Sequence, residues 1–141
     1  MVKRKKYGLS LRDAVRFHGH LGPYLVLGIL AGNLALKKIK AKKYFGLRVK
    51  VWGANQKPKS CLVDGLQLST GATYGKGNIQ KLKGKEIRIV FRNSHSNRKI
   101  KIFLHKKIIK KLGELKGYSD SRILARKLYK TNPLAIFELT P

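Results

Sequence analysis

The stretch FHGHLGPYLVLGILAGNLALKKIK, residues 17–40, decides how this chain folds. Its second part predicts a helix from Pro23 to about Lys40, because proline suits the first helical turn and leucines form a broad apolar stripe. The apolar segment Leu21–Leu36 is shorter than the roughly 20 residues that cross a bilayer, so we expect a buried helix. Small residues leave a smooth strip on which another element can pack closely: Gly28, Ala31, Gly32 and Ala35.

Short local signals divide the rest of the chain into helices and strands. Ser10 begins a Ser-x-x-Asp capping pattern, which predicts a short helix over Leu11–Phe17. Runs in which apolar and basic residues alternate predict strands. The elements predicted after residue 40 are strands at 46–52, 86–92, 99–104 and 134–139 and helices at Cys61–Thr70, 105–116 and 119–131. This order predicts an α+β fold, a single domain with an antiparallel or mixed sheet packed against helices.

The composition is that of one strongly basic domain. The chain has 141 residues, with 33 Lys and Arg against 6 Asp and Glu, and a formal charge of +27. Apolar residues make up 43% of the chain, which excludes a disordered basic tail. Most of the cations have no acidic partner within the chain, and such self-repulsion favours a polyanionic partner.

The sequence predicts neither export nor a membrane anchor. The basic N-terminus has no apolar stretch behind it, which excludes a secretory signal. Cys61 is the single cysteine, which excludes a disulfide framework and a four-cysteine zinc finger and fits a reducing compartment. We therefore expect a cytoplasmic protein that does not interact with membranes.

The basic residues recur on several surfaces that solvent reaches. Residues 1–8 predict a basic N-terminal arm ahead of a core domain over 9–141, and further cations follow the long helix, one amphipathic helix and the polar side of the strands. No aromatic pattern for base stacking accompanies them, so we expect contacts to the phosphates of structured RNA, ribosomal RNA above all. The predicted contacts are Lys3, Arg4, Lys5, Lys6, Lys37, Lys38, Lys42, Lys43, Arg48, Lys50, Arg88, Arg92, Lys99, Lys101, Lys106, Lys107, Lys110 and Lys111.

Two histidines and the cysteine are candidate metal ligands. His18 and His20 flank a glycine in an irregular turn, and a His-x-His beside Gly and Pro indicates a metal site, although a lone histidine is more often structural. Cys61 lies at a predicted helix N-terminus, where the dipole favours the thiolate that binds metals; the alternative is a small buried apolar residue. Asp64, one turn later, either orients a ligand, acts as a base or simply complements the helix dipole.

The glycine-rich stretch Gly71–Asn78 is not a phosphate-binding loop of the Walker type. Three residues instead of four separate Gly71 from Gly75, and Gly77 instead of Ser or Thr follows Lys76. We expect these glycines to make tight turns near a site into which Lys76 points a cation.

These motifs resemble the core domain of the FmdE family of formylmethanofuran dehydrogenase subunits. The resemblance rests on Phe17–Gly28, Cys61–Gln67 and Thr70–Asn78, in that order, and Asn132–Glu138 resembles the ending of the family's core domain. Ala72 stands where the family often has a cysteine, so one sulfur is expected to be missing from the cleft, and no C-terminal zinc finger is expected after the core.

The resemblance implies an α+β core, often dimeric, with a cleft that holds a divalent metal such as zinc. Carried over, His18, His20 and Cys61 are the ligands, a three-ligand set that leaves one coordination position open. Asp64 joins them in the cleft, as do three further residues: Thr70, Lys76 and Asn78. Any catalytic residue is expected among Cys61, Asp64 and Lys76.

Two functions from different classes follow from these observations. The spread of the positive charge favours an FmdE-like protein that docks on structured RNA as a ribosome-associated or ribosomal component and keeps its metal cleft. The motifs favour the alternative, a metal-binding enzyme or subunit of the formylmethanofuran dehydrogenase type in one-carbon metabolism, with protein subunits of a larger complex as partners.

Overall fold

The computed structural model describes residues 9–141; the predicted basic arm, with Lys3, Arg4, Lys5 and Lys6, lies outside the described residues. The helices are α1 (Leu11–His18), α2 (Pro23–Lys38), α3 (Cys61–Thr70), α4 (Lys106–Gly113) and α5 (Tyr118–Tyr129). The strands are β1 (Leu47–Trp52), β2 (Ile79–Leu82), β3 (Arg88–Asn93), β4 (Lys99–Leu104) and β5 (Phe137–Thr140). Single 3₁₀ turns precede β1 at Tyr44–Gly46 and β5 at Pro133–Ala135.

The five strands form one mixed sheet in the order β2-β1-β3-β4-β5. Strand β2 runs parallel to β1, and the other neighbours are antiparallel. β3 and β4 form a hairpin. Buried and exposed side chains alternate along β1, as a sheet with one face on the core requires. The predicted α+β class is therefore confirmed.

Capping residues set the beginning of the fold. The Ser10 side chain accepts a hydrogen bond from the backbone N–H of Asp13, 3.0 Å away, and so begins α1. Gly19 ends α1 in the left-handed region, at φ 104°, and Pro23 opens α2 four residues later. The chain therefore makes a sharp turn between α1 and α2, and this turn carries His20.

Helices α2 and α3 pack so closely that a side chain on either contact glycine would overlap the backbone of the other helix. A Cβ on Gly28 would overlap the Leu62 carbonyl oxygen, and a Cβ on Gly65 would overlap the Leu25 carbonyl oxygen. The buried Ser69 hydroxyl donates to the Gly65 carbonyl at 2.9 Å. The predicted small-residue strip of α2 is thus covered by α3.

The helical layer and the sheet share one hydrophobic core. Buried residues of α2 and α3, such as Val26 and Leu62, belong to the same cluster as Val49, Phe91 and Ile102 from the central strands. No helix within residues 9–141 is long and apolar enough to cross a membrane.

Candidate metal centre

Three segment ends meet at one corner of the helical layer. His18 is the last residue of α1, His20 lies in the turn after it, and Cys61 is the first residue of α3. Gly28 of α2 lies next to Leu62 of α3, and Gly32, one turn later in α2, lies next to Ser69, which is also later in α3. The two helices therefore run in the same direction, which brings Cys61 to the beginning of α2 and to the histidine turn.

The candidate ligand atoms of His18, His20 and Cys61 form a tight group. One nitrogen of each ring and the sulfur all lie within 4.8 Å of one another. The two imidazole centroids are 4.5 Å apart, with the rings tilted by 47°. Zinc binds nitrogen at about 2.0–2.1 Å and sulfur at about 2.3 Å, so ligand atoms this close together are near the separation that a common ion requires.

His18 is oriented for metal binding by Asp64. Its Nδ1 lies 2.6 Å from Asp64 Oδ2, and since a carboxylate only accepts, Nδ1 carries the proton and donates. The other nitrogen, Nε2, is buried and has no hydrogen-bond partner among the described residues. An unpartnered buried acceptor is costly, and a metal ion in the position that Nε2 faces would satisfy it. The donor set therefore fits a divalent metal.

Cys61 does not behave as its place at a helix start suggests. Burial raises the pKa of its thiol, the Asp64 carboxylate raises it further, and Lys57 opposes both. The predicted preference for thiolate from the helix dipole is outweighed by these effects. Binding of a metal to Cys61 therefore has to displace a proton.

The structure does not bring the other predicted cleft residues to this group. Thr70 is the last residue of α3, about 13 Å along the helix axis from Cys61. Its hydroxyl donates to the Leu66 carbonyl at 2.7 Å. Lys76 Nζ lies 5.6 Å from the Tyr44 ring centroid.

Asn78 and Ala72 follow the C-terminal end of α3, which is the end opposite Cys61. The buried Asn78 amide donates to the backbone carbonyls of Tyr44 at 2.6 Å and Leu47 at 3.1 Å, and accepts from the Thr73 N–H at 3.0 Å. Ala72 is fully buried two residues beyond α3. Position 72 therefore lies beyond the opposite end of α3 from Cys61.

A cavity of about 390 Å³ opens beside His20 and Cys61 and was not predicted. It is closed on one side by the beginnings of α2 and α5 and on another by the end of α4 and the turn that follows. Pro23 and Tyr24, the first two residues of α2, line it from the stretch quoted above, together with residues of the histidine turn itself. Leu115 and Tyr118 carry no signal in the sequence, because only the folded chain brings them to Cys61.

The predicted phosphate-contacting residues are distributed over several surfaces. Arg48, Lys50, Arg92 and Lys99 are exposed on the side of the sheet away from the core. Arg88 is half-buried, with its guanidinium carbon 4.1 Å from the centre of the Trp52 ring. The remaining cations are half-buried or exposed along α4, on β4, and in the last turn of α2 or just after it: Lys37, Lys38, Lys42, Lys43, Lys101, Lys106, Lys107, Lys110 and Lys111.

Comparison with known proteins finds a matching family and a solved structure with a similar fold. The model of the family described as "FmdE, Molybdenum formylmethanofuran dehydrogenase operon" matches residues 17–135. The crystal structure of a tungsten formylmethanofuran dehydrogenase FmdE-like protein from Syntrophus aciditrophicus superposes with a TM-score of 0.63 at 20% identity. The superposition covers 96% of this chain and 70% of that one. No curated protein matches the chain significantly.

These findings correct the predicted function. The expectation of an RNA-docking, ribosome-associated protein is wrong, because the family match favours the formylmethanofuran dehydrogenase type and neither comparison indicates RNA binding. Charge alone misled the prediction, since a high net charge identifies no particular partner. The matched segment includes His18, His20 and Cys61 and spans most of the sequence. The chain belongs to the FmdE family.

Proposed function

We propose that this chain is a metal-binding enzyme or subunit of the formylmethanofuran dehydrogenase type, active in one-carbon metabolism. His18 Nε2, His20 and Cys61 would hold one divalent ion, with zinc favoured by the mixed nitrogen and sulfur ligands. The observation that carries this proposal is His18 Nε2, which is buried and has no hydrogen-bond partner within residues 9–141 while Nδ1 is bonded to Asp64, in a group whose ligand atoms lie within 4.8 Å of one another.

Three protein ligands leave a coordination position for a small molecule, as in catalytic rather than structural zinc sites. A bound divalent ion with such a position supplies Lewis acidity to the molecule that occupies it. Within the chain, Asp64 fixes the tautomer of His18, and the walls around His20 and Cys61 limit what reaches the ion. Of the predicted catalytic candidates, Cys61 and Asp64 are at this centre, and Lys76 packs on an aromatic ring instead.

The experiment is a zinc titration of chelator-treated protein by isothermal calorimetry. The unaltered chain is expected to bind one Zn²⁺, and His18→Ala, His20→Ala and Cys61→Ser are each expected to reduce the affinity by at least tenfold. His95→Ala is the matched control, because His95 lies in the β3–β4 turn and is not in the ligand group. Equal binding by all four variants would refute the ligand assignment.

The strong positive charge fits an acidic protein partner from a larger complex. Exposed cations on the outer side of the sheet, such as Arg48, Arg92 and Lys99, would neutralise an acidic surface. A homodimer, which the family resemblance implies, is the second proposed association. Sedimentation of the protein isolated from its source cells tests both: a complex with other subunits should dissociate as salt is raised, whereas like-charged copies should associate better.

A further inference from the structure

The cavity beside the candidate metal centre has an unusual lining for this chain. Its volume is about 390 Å³, within the range of small-molecule sites. The lining residues are His20, Leu21, Gly22, Pro23, Tyr24, Pro58, Cys61, Leu112, Leu115, Gly117, Tyr118 and Ser121. Lys, Arg, Asp and Glu make up 28% of the chain, yet none of those within residues 9–141 lines this cavity.

The neighbouring cavity shows that the absence of charge is local. It measures about 510 Å³, shares Tyr24 and Leu112 with the first, and is lined by Lys59, Glu86, Lys106 and Glu138. Charged residues therefore begin immediately beyond Tyr24. The two charges that act on Cys61, Asp64 and Lys57, have opposite signs, and neither lines the first cavity.

Apart from the candidate ligands His20 and Cys61, the polar side chains that line the first cavity carry uncharged hydroxyls. Burial raises the pKa of Tyr24, so its hydroxyl keeps its proton. Ser121 and Tyr118 add two more hydroxyls, and Leu112, Leu115 and Pro58 supply apolar surface. Away from the proposed ion, such walls stabilise an uncharged molecule, whereas a charged group lying against them would lose its hydration without gaining a counter-charge.

We propose that this cavity binds an uncharged, mainly apolar small molecule whose single donor group reaches the ion held by His18, His20 and Cys61. The proposal rests on the proposed metal-binding function and specifies its ligand class. It runs against the net charge of +27, which by itself favours anionic ligands. Selectivity for a neutral ligand would therefore arise from the walls of the cavity.

The test uses the full chain loaded with Co²⁺, whose visible absorption reports both metal binding and ligand exchange. The probes are 4-phenylimidazole and its para-carboxylate, which share the donor ring and differ by one charge. At 0.3 M salt, where long-range attraction is screened, we expect the neutral probe to bind at least tenfold more tightly. Equal binding, or tighter binding of the carboxylate, would overturn the proposal.

Variants locate the bound probe. Ser121→Trp, and independently Leu115→Phe, should fill the cavity and weaken the neutral probe by at least tenfold without removing Co²⁺. Ile123→Trp is the matched control, since Ile123 lies on the same helix as Ser121 and is 62% exposed. Circular dichroism checks that the variants fold.

The outcomes separate the two proposals. If the unaltered chain binds no Co²⁺, the metal-binding function fails, and the ligand proposal with it. If Co²⁺ binds but the cavity-filling variants bind the neutral probe as tightly as Ile123→Trp does, the ligand proposal alone is refuted.

Discussion

His18 and Asp64 lie 46 residues apart in the sequence, and their side chains meet at 2.6 Å. The bond joins the end of α1 to the first turn of α3, and it leaves His18 Nε2 as the acceptor that faces the candidate ion. Of the three roles open to Asp64 in the sequence, this geometry supports the orientation of a ligand.

We therefore expect Asp64→Asn to weaken zinc binding by about 10–100-fold, because an amide orients the imidazole less strongly than a carboxylate does. Competition with a fluorescent zinc chelator measures the change. Asp13→Asn is the control, since Asp13 is exposed on α1 and lies outside the ligand group. An affinity within twofold of the unaltered chain for Asp64→Asn would show that the bond does not support the centre.

The thiol of Cys61 predicts how binding depends on pH. Burial and the Asp64 carboxylate raise its pKa, so the thiol stays protonated at neutral pH and each bound ion displaces one proton from it. Affinity should therefore rise about tenfold for each pH unit between 7.5 and 8.5, above the range in which free imidazole takes up protons. The slope should be lost in Cys61→Ser, and a flat profile in the unaltered chain would contradict the assignment of the sulfur.

The same raised pKa has a consequence for the metal-free protein. The thiol ionises at a lower pH in the unfolded chain than in the folded one, so the unfolded state binds fewer protons between the two pKa values. Stability should consequently fall as the pH rises through this window. Urea denaturation of the metal-free chain measures the fall, which should be smaller in Cys61→Ser.

The glycine contact between α2 and α3 predicts a stability difference. Gly28→Ala should destabilise the protein by about 1–3 kcal/mol, because the added methyl overlaps the Leu62 carbonyl and pushes the helices apart. It should also weaken zinc binding, since α3 carries Cys61. Gly113→Ala, where a Cβ meets nothing within 4 Å, is the control and should be neutral or slightly stabilising. Equal urea midpoints for the two variants would contradict this account.

Substitution of Asn78 tests whether this residue has a structural role or a role in the metal cleft. Its three hydrogen bonds to buried or half-buried backbone groups indicate that Asn78→Ala costs about 2–4 kcal/mol of stability, with zinc affinity unchanged. Chemical denaturation and zinc titration on the same preparation test the pair of effects. If Asn78→Ala instead lost zinc affinity while keeping its full stability, Asn78 would have a role in the metal cleft rather than a structural one.

The elements that sequence predicted best are those with local signals. Ser10 and Pro23 begin helices whose limits agree with the structure to within two residues, because these signals act on the first turn of their own helix. Strand β2 was not predicted, since only Ile79 among its four residues is buried and its parallel pairing with β1 depends on distant residues.

In the candidate site, too, the sequence indicates which residues could bind a metal but not which of them lie close together in the fold. The residue types of His18, His20 and Cys61 identify candidate ligands, but their proximity depends on how closely α2 and α3 pack. Helical geometry already indicates that Cys61 and Thr70 lie at opposite ends of one helix. Residues of α4 and α5 form part of the wall of the uncharged cavity, and no sequence motif indicates that they do so.

Helix α1 has a single buried residue, Ala14, so little of its own surface holds it to the core. Its last residue nevertheless supplies one ligand, and the turn that it precedes supplies another. An ion bound by both histidines and by Cys61 would cross-link α1 and the turn after it to the first residue of α3. Amide hydrogen exchange across residues 11–20 should therefore slow markedly on zinc binding, while exchange in the central strands should change little. Metal binding would thus alter how often α1 opens without altering its structure.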